Sequence, residues 1–230
     1  GETYPFSELA GAGVAMKLAH ALLGELPEEL IGIAAIGTVA DLVPLHDENR
    51  LIAIKGLEAL KKSTRPGIIA LCQKAGIQRE SFNEDSIGFG LAPRINAVGR
   101  LESADPAVHL LLTESQSEAD LIADEIDMLN KERQSIVKEI TQEAIEEVEK
   151  NYPLETNPVL IIAREGWNTG VVGIVASKLV EKFYRPTIVL SIDREKGTAK
   201  GSARSIRGFD LFQNLSLNRE LLPHFGGHPM

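Results

Sequence analysis

The sequence predicts an α/β protein: a helical N-terminal half, one long helix, then a small α/β C-terminal domain. Three observations carry this. Apolar residues recur at helical spacing through the first half. An amphipathic segment with no internal Pro or Gly runs from Ser117 to Lys150. After it come short apolar runs, glycine-containing loops and one apolar helix.

The elements follow in order. Ser7–Leu23, rich in Ala, Leu and Gly, predicts a helix packed closely on its neighbours. Glu28–Val39 reads as a nearly uncharged helix or buried strand that runs straight into Asp41. Asn49–Lys61 carries a helical stripe of Leu51, Ile52, Ile54, Leu57 and Leu60. Ser81 and Glu84 have the spacing of a capping box, for a short helix ending near Pro93. Residues Pro93 to Arg100 read as a polar loop. The segment from Ser117 would be about 50 Å long, and Asn151-Tyr152-Pro153 stops it. Pro158–Ala163 reads as a buried strand, Val171–Lys182 as a helix, and Thr187–Ile192 and Thr198–Ile206 as two more strands.

Composition excludes several classes. The chain has 230 residues, 43% hydrophobic, 25% charged and 5% aromatic, enough to bury a core. A single cysteine, Cys72, allows no internal disulfide and points to a reducing compartment. Cys72 lies in an apolar helical stretch and reads as a core thiol. The longest apolar run, Leu30 to Ala40, is about half a membrane span, so no membrane segment and a cytoplasmic location are expected. Net charge is −9, but unevenly placed: residues 1–115 carry −5, 116–151 carry −7 and 152–230 carry +3. Overall acidity therefore leaves room for a phosphate-bearing ligand near the C-terminal end.

Five short motifs have the residue types for such chemistry. Asp41 ends the apolar run in Thr38-Val39-Ala40-Asp41-Leu42-Val43-Pro44-Leu45. An acid there must be paired, hydrogen-bonded or bound to metal; read alone, it is a capping or ion-paired acid. His46 and Asp47 read as solvated turn residues. Arg94, Asn96 and Arg100 could fork around an anion, or be surface side chains. Gly166-Trp167-Asn168-Thr169-Gly170 precedes a helix start, where N–H groups can face an anion; a tight turn is the plainer reading. Ser202 and Arg204 alternate along a strand and share one face, which could equally be an exposed edge. Gly226-Gly227-His228 can form a backbone nest for an anion, or a terminal turn.

Taken in order, these residues resemble the RecJ family of single-strand-specific DNA exonucleases, in the DHH phosphoesterase superfamily. The matching stretches are Gly11–Ala15, Gly37–Leu45 with Glu48-Asn49-Arg50, Pro93–Leu101, Gly166-Trp167 with Gly170–Leu179, Gly201–Ser205 and Phe225–His228. The resemblance implies the C-terminal, helical part of a DHH domain over residues 1–115. A connector helix follows over 116–151, then a DHH-associated substrate-binding domain over 152–230, truncated at its C-terminus. It implies five-prime-to-three-prime degradation of single-stranded DNA, in DNA repair and recombination, with Mn2+ or Mg2+. A helicase and a single-strand-binding protein are the partners it suggests. Asp41 matches the family's last metal-ligand position. Arg94, Asn96 and Arg100 match a substrate-phosphate loop and, with Asp41, are the expected catalytic residues. Trp167, Asn168, Gly170, Ser202, Arg204, Ser205, Gly226, Gly227 and His228 match the positions that hold the nucleic-acid backbone or end.

There are departures. The chain has no Asp-x-Asp and no His-His pair, where the family takes its other metal ligands. One ligand cannot build a two-metal site. A fragment that is inactive by itself is expected, with apolar surface uncovered around Ile31–Ile36 and self-association as a consequence. Asn168 stands where many relatives carry His, and cannot titrate near neutrality. Two other readings remain: a related phosphodiesterase for short oligonucleotides or cyclic dinucleotides, and, for the isolated chain, a non-catalytic single-strand-binding module.

Overall fold

The computed structural model describes residues 4–222 and 224–230. The backbone forms two compact units, Gly1–Asn130 and Lys131–Met230. The first is helical: α1 (Gly11–Leu23), α2 (Ile31–Ala40), α3 (Asp47–Lys62) and α4 (Pro66–Ala75). A π-helical turn at Ser86–Leu91 leads into α5 (Ala92–Leu101), and α6 (Asp105–Leu112) follows. The long α7 (Gln116–Asn151) gives its residues up to Asn130 to this unit and the rest to the second.

Helix ends follow local chemistry. Gly24 and Gly76 close α1 and α4 in the left-handed conformation, at φ 77° and 66°. Prolines occupy the first turns of α4, α5 and α6, where a missing N–H costs nothing. Ser115 Oγ accepts from the Glu118 N–H and opens α7.

Helix α2 is the middle layer of its half of the unit. Its Gly32, Ala34 and Ala35 are buried. A Cβ at Gly56 of α3 would overlap the Ala35 methyl and crowd the Ile31 carbonyl, so α2 and α3 touch backbone to backbone. A Cβ at Gly37 would likewise overlap Ala12 of α1. This corrects one expectation: the segment Ile31–Ile36 is covered, because small residues let α1 and α3 close over it. Apolar exposure lies instead on α1, where Val14, Leu18 and Leu22 form a solvent-facing stripe at four-residue spacing. The main core joins Ile36, Leu60, Ile68, Leu71, Phe82, Ile87, Leu91, Val98, Leu110 and Ile126.

Residues Pro93 to Arg100 are helix, not loop. By itself Pro93 reads as a stop. The wide π turn ahead of it accommodates the missing donor, and Arg94 Nη1 bonds the Gly90 carbonyl at 2.8 Å. The capping pair is also displaced. Ser81 donates back to the Gln78 carbonyl, while Asn83 and Ser86 cap each other's N–H groups at 3.0 and 3.1 Å.

The second unit holds β1 (Leu160–Glu165), α8 (Val172–Phe183), β2 (Thr187–Asp193), β3 (Thr198–Arg204) and the short α9 (Leu211–Ser216). The sheet order is β1-β2-β3, with β1 parallel to β2 through the α8 crossover and β3 antiparallel to β2. Strand β1 departs from the wholly buried strand that its composition suggests. It alternates: Leu160 and Ile162 are buried while Ile161 is half exposed. Among the described residues, no helix is long and apolar enough to cross a membrane.

Candidate nucleic-acid interface

In the first unit, Asp41 is the C-cap of α2, exposed, with its N–H on the Gly37 carbonyl at 3.1 Å. Its carboxylate faces the negative end of the helix dipole, which costs rather than stabilises. Among the described residues it makes no side-chain hydrogen bond or ion pair, so of the plainer reading the cap position is found and the pairing is not. The next residue, Leu42, is left-handed at φ 57° and almost fully exposed, a conformation costing a leucine about 1–2 kcal/mol. The strained segment is anchored downstream: buried Asn49 donates from Nδ2 to the Pro44 carbonyl at 3.0 Å and the Glu8 carbonyl at 2.7 Å. His46 is no simple turn residue. Its ring sits between Glu8 (2.8 Å) and Asp47 (3.0 Å), edge-on to Phe6.

Helix α5 separates the three residues expected to share one phosphate. Asn96 and Arg100, four apart, lie together on its exposed face. Arg94 points inward. Its Nε bonds Asp127 of α7 at 2.9 Å, Nη1 the Gly90 carbonyl, and Nη2 the Lys74 carbonyl at 3.1 Å. With both side chains at least four-fifths buried, the pair ties α4, the π turn and α7 together. Asp127 carried a sequence signal that was missed: an acid beside Ile126 on the apolar register of a long helix.

In the second unit, Ser202 and Arg204 share one face of β3, as alternation requires, and Arg204 Nη1 donates to Ser202 Oγ at 3.1 Å. Both heads lie over Gly173 in the first turn of α8: a Cβ there would meet Ser202 Oγ at 3.1 Å and Arg204 Nη2 at 3.4 Å. Glycine thus lets a guanidinium and a hydroxyl sit over a helix N-terminus, whose dipole and N–H groups favour an anion. Gly201 seats this pair. A Cβ there would overlap the Val189 carbonyl, so β3 lies against β2 only because the position is bare.

The loop before α8 is fixed on both sides. Trp167 is buried, and its indole N–H donates to Glu143 of α7 at 2.9 Å. Arg164 bonds the same carboxylate at 2.8 Å and lies against the indole ring. Asn168 Oδ1 accepts the Gly170 N–H at 2.8 Å, closing an Asx turn. Glu143 carries no mark in the sequence that separates it from the other acids of α7.

Ser205 is set apart from Ser202. It is buried, and its hydroxyl donates to the Phe209 carbonyl at 2.7 Å. The C-terminal segment runs beside it: the Ser205 N–H bonds the Met230 carbonyl at 2.8 Å, and the Leu211 N–H the Pro229 carbonyl at 3.0 Å. Gly226, Gly227 and His228 are exposed there, with Phe225 packed on Phe212.

Cys72 is a buried core thiol, and burial pushes its pKa up. Among the described residues no three His, Cys, Asp or Glu side chains converge as a metal site. Asp41 offers one carboxylate, whereas Mg2+ or Mn2+ in an oxygen site takes about six ligands. The described residues therefore do not complete a divalent-ion centre by themselves.

Comparison with known proteins gives a consistent result. Residues 156–230 match the DHHA1 domain. The chain is 64% identical over 230 residues to the single-stranded-DNA-specific exonuclease RecJ of Bacillus subtilis, covering all of this chain and 29% of that protein. It is 37% identical over 249 residues to RecJ of Escherichia coli, covering 99% of this chain and 43% of that one. The chain thus spans less than half the length of these relatives. The crystal structure of RecJ in complex with Mg2+ from Thermus thermophilus matches with a TM-score of 0.86 at 30% identity, over 99% of this chain and 36% of that chain. Sequence likeness from end to end and a shared fold match the chain to a segment of RecJ proteins, with the DHHA1 domain matched over residues 156–230.

Proposed function

We propose that this chain is the strand-holding part, with one edge of the catalytic centre, of a metal-dependent exonuclease that degrades single-stranded DNA. The observation that supports it best is the cluster over the first turn of α8, where Ser202 and Arg204 stand above bare Gly173. A charged fork, a hydroxyl and a helix N-terminus on one spot suit a phosphate. Few aromatic residues are present, so backbone contact outweighs base stacking. Asp41 contributes one ligand to Mn2+ or Mg2+, and the remaining ligands come from the part of a RecJ protein that this chain does not span. By this reading the 230 residues alone bind a strand and do not cut it. Asn96 and Arg100 face the substrate, while Arg94 acts through the fold that carries them.

The competing reading is a phosphodiesterase for short oligonucleotides or cyclic dinucleotides. The experiment uses the longest chain the gene encodes, with Mn2+, on a labelled single strand and on a cyclic dinucleotide. The expected result is metal-dependent shortening of the strand from its five-prime end, with the cyclic dinucleotide untouched. Turnover of the cyclic dinucleotide with an intact strand would overturn the reading.

A further inference from the structure

The second unit has a groove that none of the expected site residues lines. It runs between the later half of α7 and α8, and its volume is about 560 Å³, within the roughly 300–1,000 Å³ typical of ligand clefts. Arg133, Lys138 and Lys178 line it, with Thr141, and Val137 and Ile174 supply its apolar part.

Its charge is unexpected for its location. Helix α7 carries eleven acids against four bases, yet among the described residues no carboxylate lines the groove. Three acids of this stretch are held elsewhere: Glu143 and Glu147 hold Arg164, and Glu149 holds Lys182. Glu146 accepts from Gln142 at the groove's edge. Lys138 and Lys178 are exposed and form no ion pair among the described residues. Thr141 adds a second signal. A helical threonine commonly bonds the carbonyl four residues back, as Thr38 does at 2.8 Å. Thr141 Oγ1 is buried and has no hydrogen-bond partner among the described residues, so it retains a donor for a ligand oxygen. The groove also adjoins the cluster described above: Ile174 follows Gly173, over which Ser202 and Arg204 sit.

We infer that the α7–α8 groove is a second phosphodiester-binding site, which takes the backbone of a single strand beyond the nucleotide held at Ser202 and Arg204. This rests on the proposed strand-holding function and extends it. Lys138 and Lys178 supply the charge, and Thr141 a hydrogen bond. Binding here is independent of sequence, because only phosphates are read.

The test measures fluorescence anisotropy of this chain with a dinucleotide and with a long oligothymidylate, across a salt series. Each phosphate contact on a single strand contributes about 0.7 to the salt slope. The double variant Lys138→Gln/Lys178→Gln is expected to lower that slope by about 1.4 for the long strand. At about 0.1 M salt it should weaken binding roughly twenty-five-fold. Dinucleotide binding should be unchanged, and Lys138→Arg/Lys178→Arg should restore the long strand. Lys196→Gln, outside the groove, serves as control and should change nothing. Unaltered long-strand binding in the Gln double variant, or no recovery with Arg, overturns the inference. So does preferential binding of a polyglutamate peptide over DNA. If the groove variant behaves as expected but Ser202→Ala/Arg204→Gln leaves the dinucleotide unaffected, the Ser202–Arg204 reading fails and the groove stands.

Discussion

Arg94 illustrates what a sequence yields at the scale of a residue. Its motif was visible, and so was its chemistry. Its direction was not, because that is set by Asp127, thirty-three positions away, and by a helical rather than looped backbone. Asp41 was legible as an acid that needs a reason. The left-handed Leu42 beside it, and the Asn49 anchor, are backbone facts that no residue pattern carries. A second long-range tie joins α1 to α3. Lys17 Nζ and the Tyr4 hydroxyl both bond Glu48, at 2.7 Å to the nearer oxygen. The Lys17 hydrogen bond holds the Glu48 carboxyl below its ordinary value of 4.5, and the same bond raises Lys17 above 10.5. A glutamate with a depressed folded value gives stability above its unfolded value and loses it as pH falls through the folded one. Lys17 gives stability up to 10.5 and loses it as pH rises through its raised value. A partly exposed pair of this kind contributes about 0.5 kcal/mol. Glu48→Gln should therefore flatten the acid limb of a melting-temperature profile below about pH 4.5 and also remove the loss at high pH. An unchanged profile would show that the pair is not formed in solution.

At the scale of the element, period and punctuation were strong guides. The long helix and the helix after the glycine loop were legible from apolar spacing, and the three strands from short runs set off by nearby Gly or Pro. The π turn was not, since Pro93 reads as a stop unless the preceding turn widens, and widening leaves no mark in composition. Close approach of backbones was legible only as a richness in small residues, without their partners. Gly201 shows the consequence. Replacing it with Ala puts a methyl into the Val189 carbonyl, and overpacking of this sort costs about 1–3 kcal/mol. The strand that carries Ser202 and Arg204 must shift to relieve it. Gly201→Ala should lower the melting temperature and weaken dinucleotide binding together, whereas Gly197→Ala, in the β2–β3 turn at φ 62°, should affect stability alone. Loss of stability with full binding would mean that the seating of β3 does not position the phosphate cluster.

For the whole molecule, the segment charges foretold more than the net charge did. The mildly basic C-terminal segment holds the cluster over α8, and the acidic long helix turns its acids toward Arg164, Lys182 and the indole of Trp167. What the sequence did not reveal is where this connector divides, its residues up to Asn130 packing with one unit and the rest with the other. That division depends on contacts, and the helical repeat continues through it without a break. The likeness to RecJ proteins was legible throughout, because it rests on ordered short motifs rather than on any one of them. The central claim assigns two roles to two places: Asp41 to the chemistry and Arg204 to holding the strand. The most direct measurement is single-turnover digestion of a five-prime-labelled strand in Mn2+ by the longest chain the gene encodes, with strand affinity measured alongside. Asp41→Ala should slow cleavage by roughly a thousandfold, about 4 kcal/mol of barrier, with affinity retained. Arg204→Gln should weaken affinity by about tenfold, the loss of one charged hydrogen bond. An Asp41→Ala enzyme that digests at the parent rate would contradict the account.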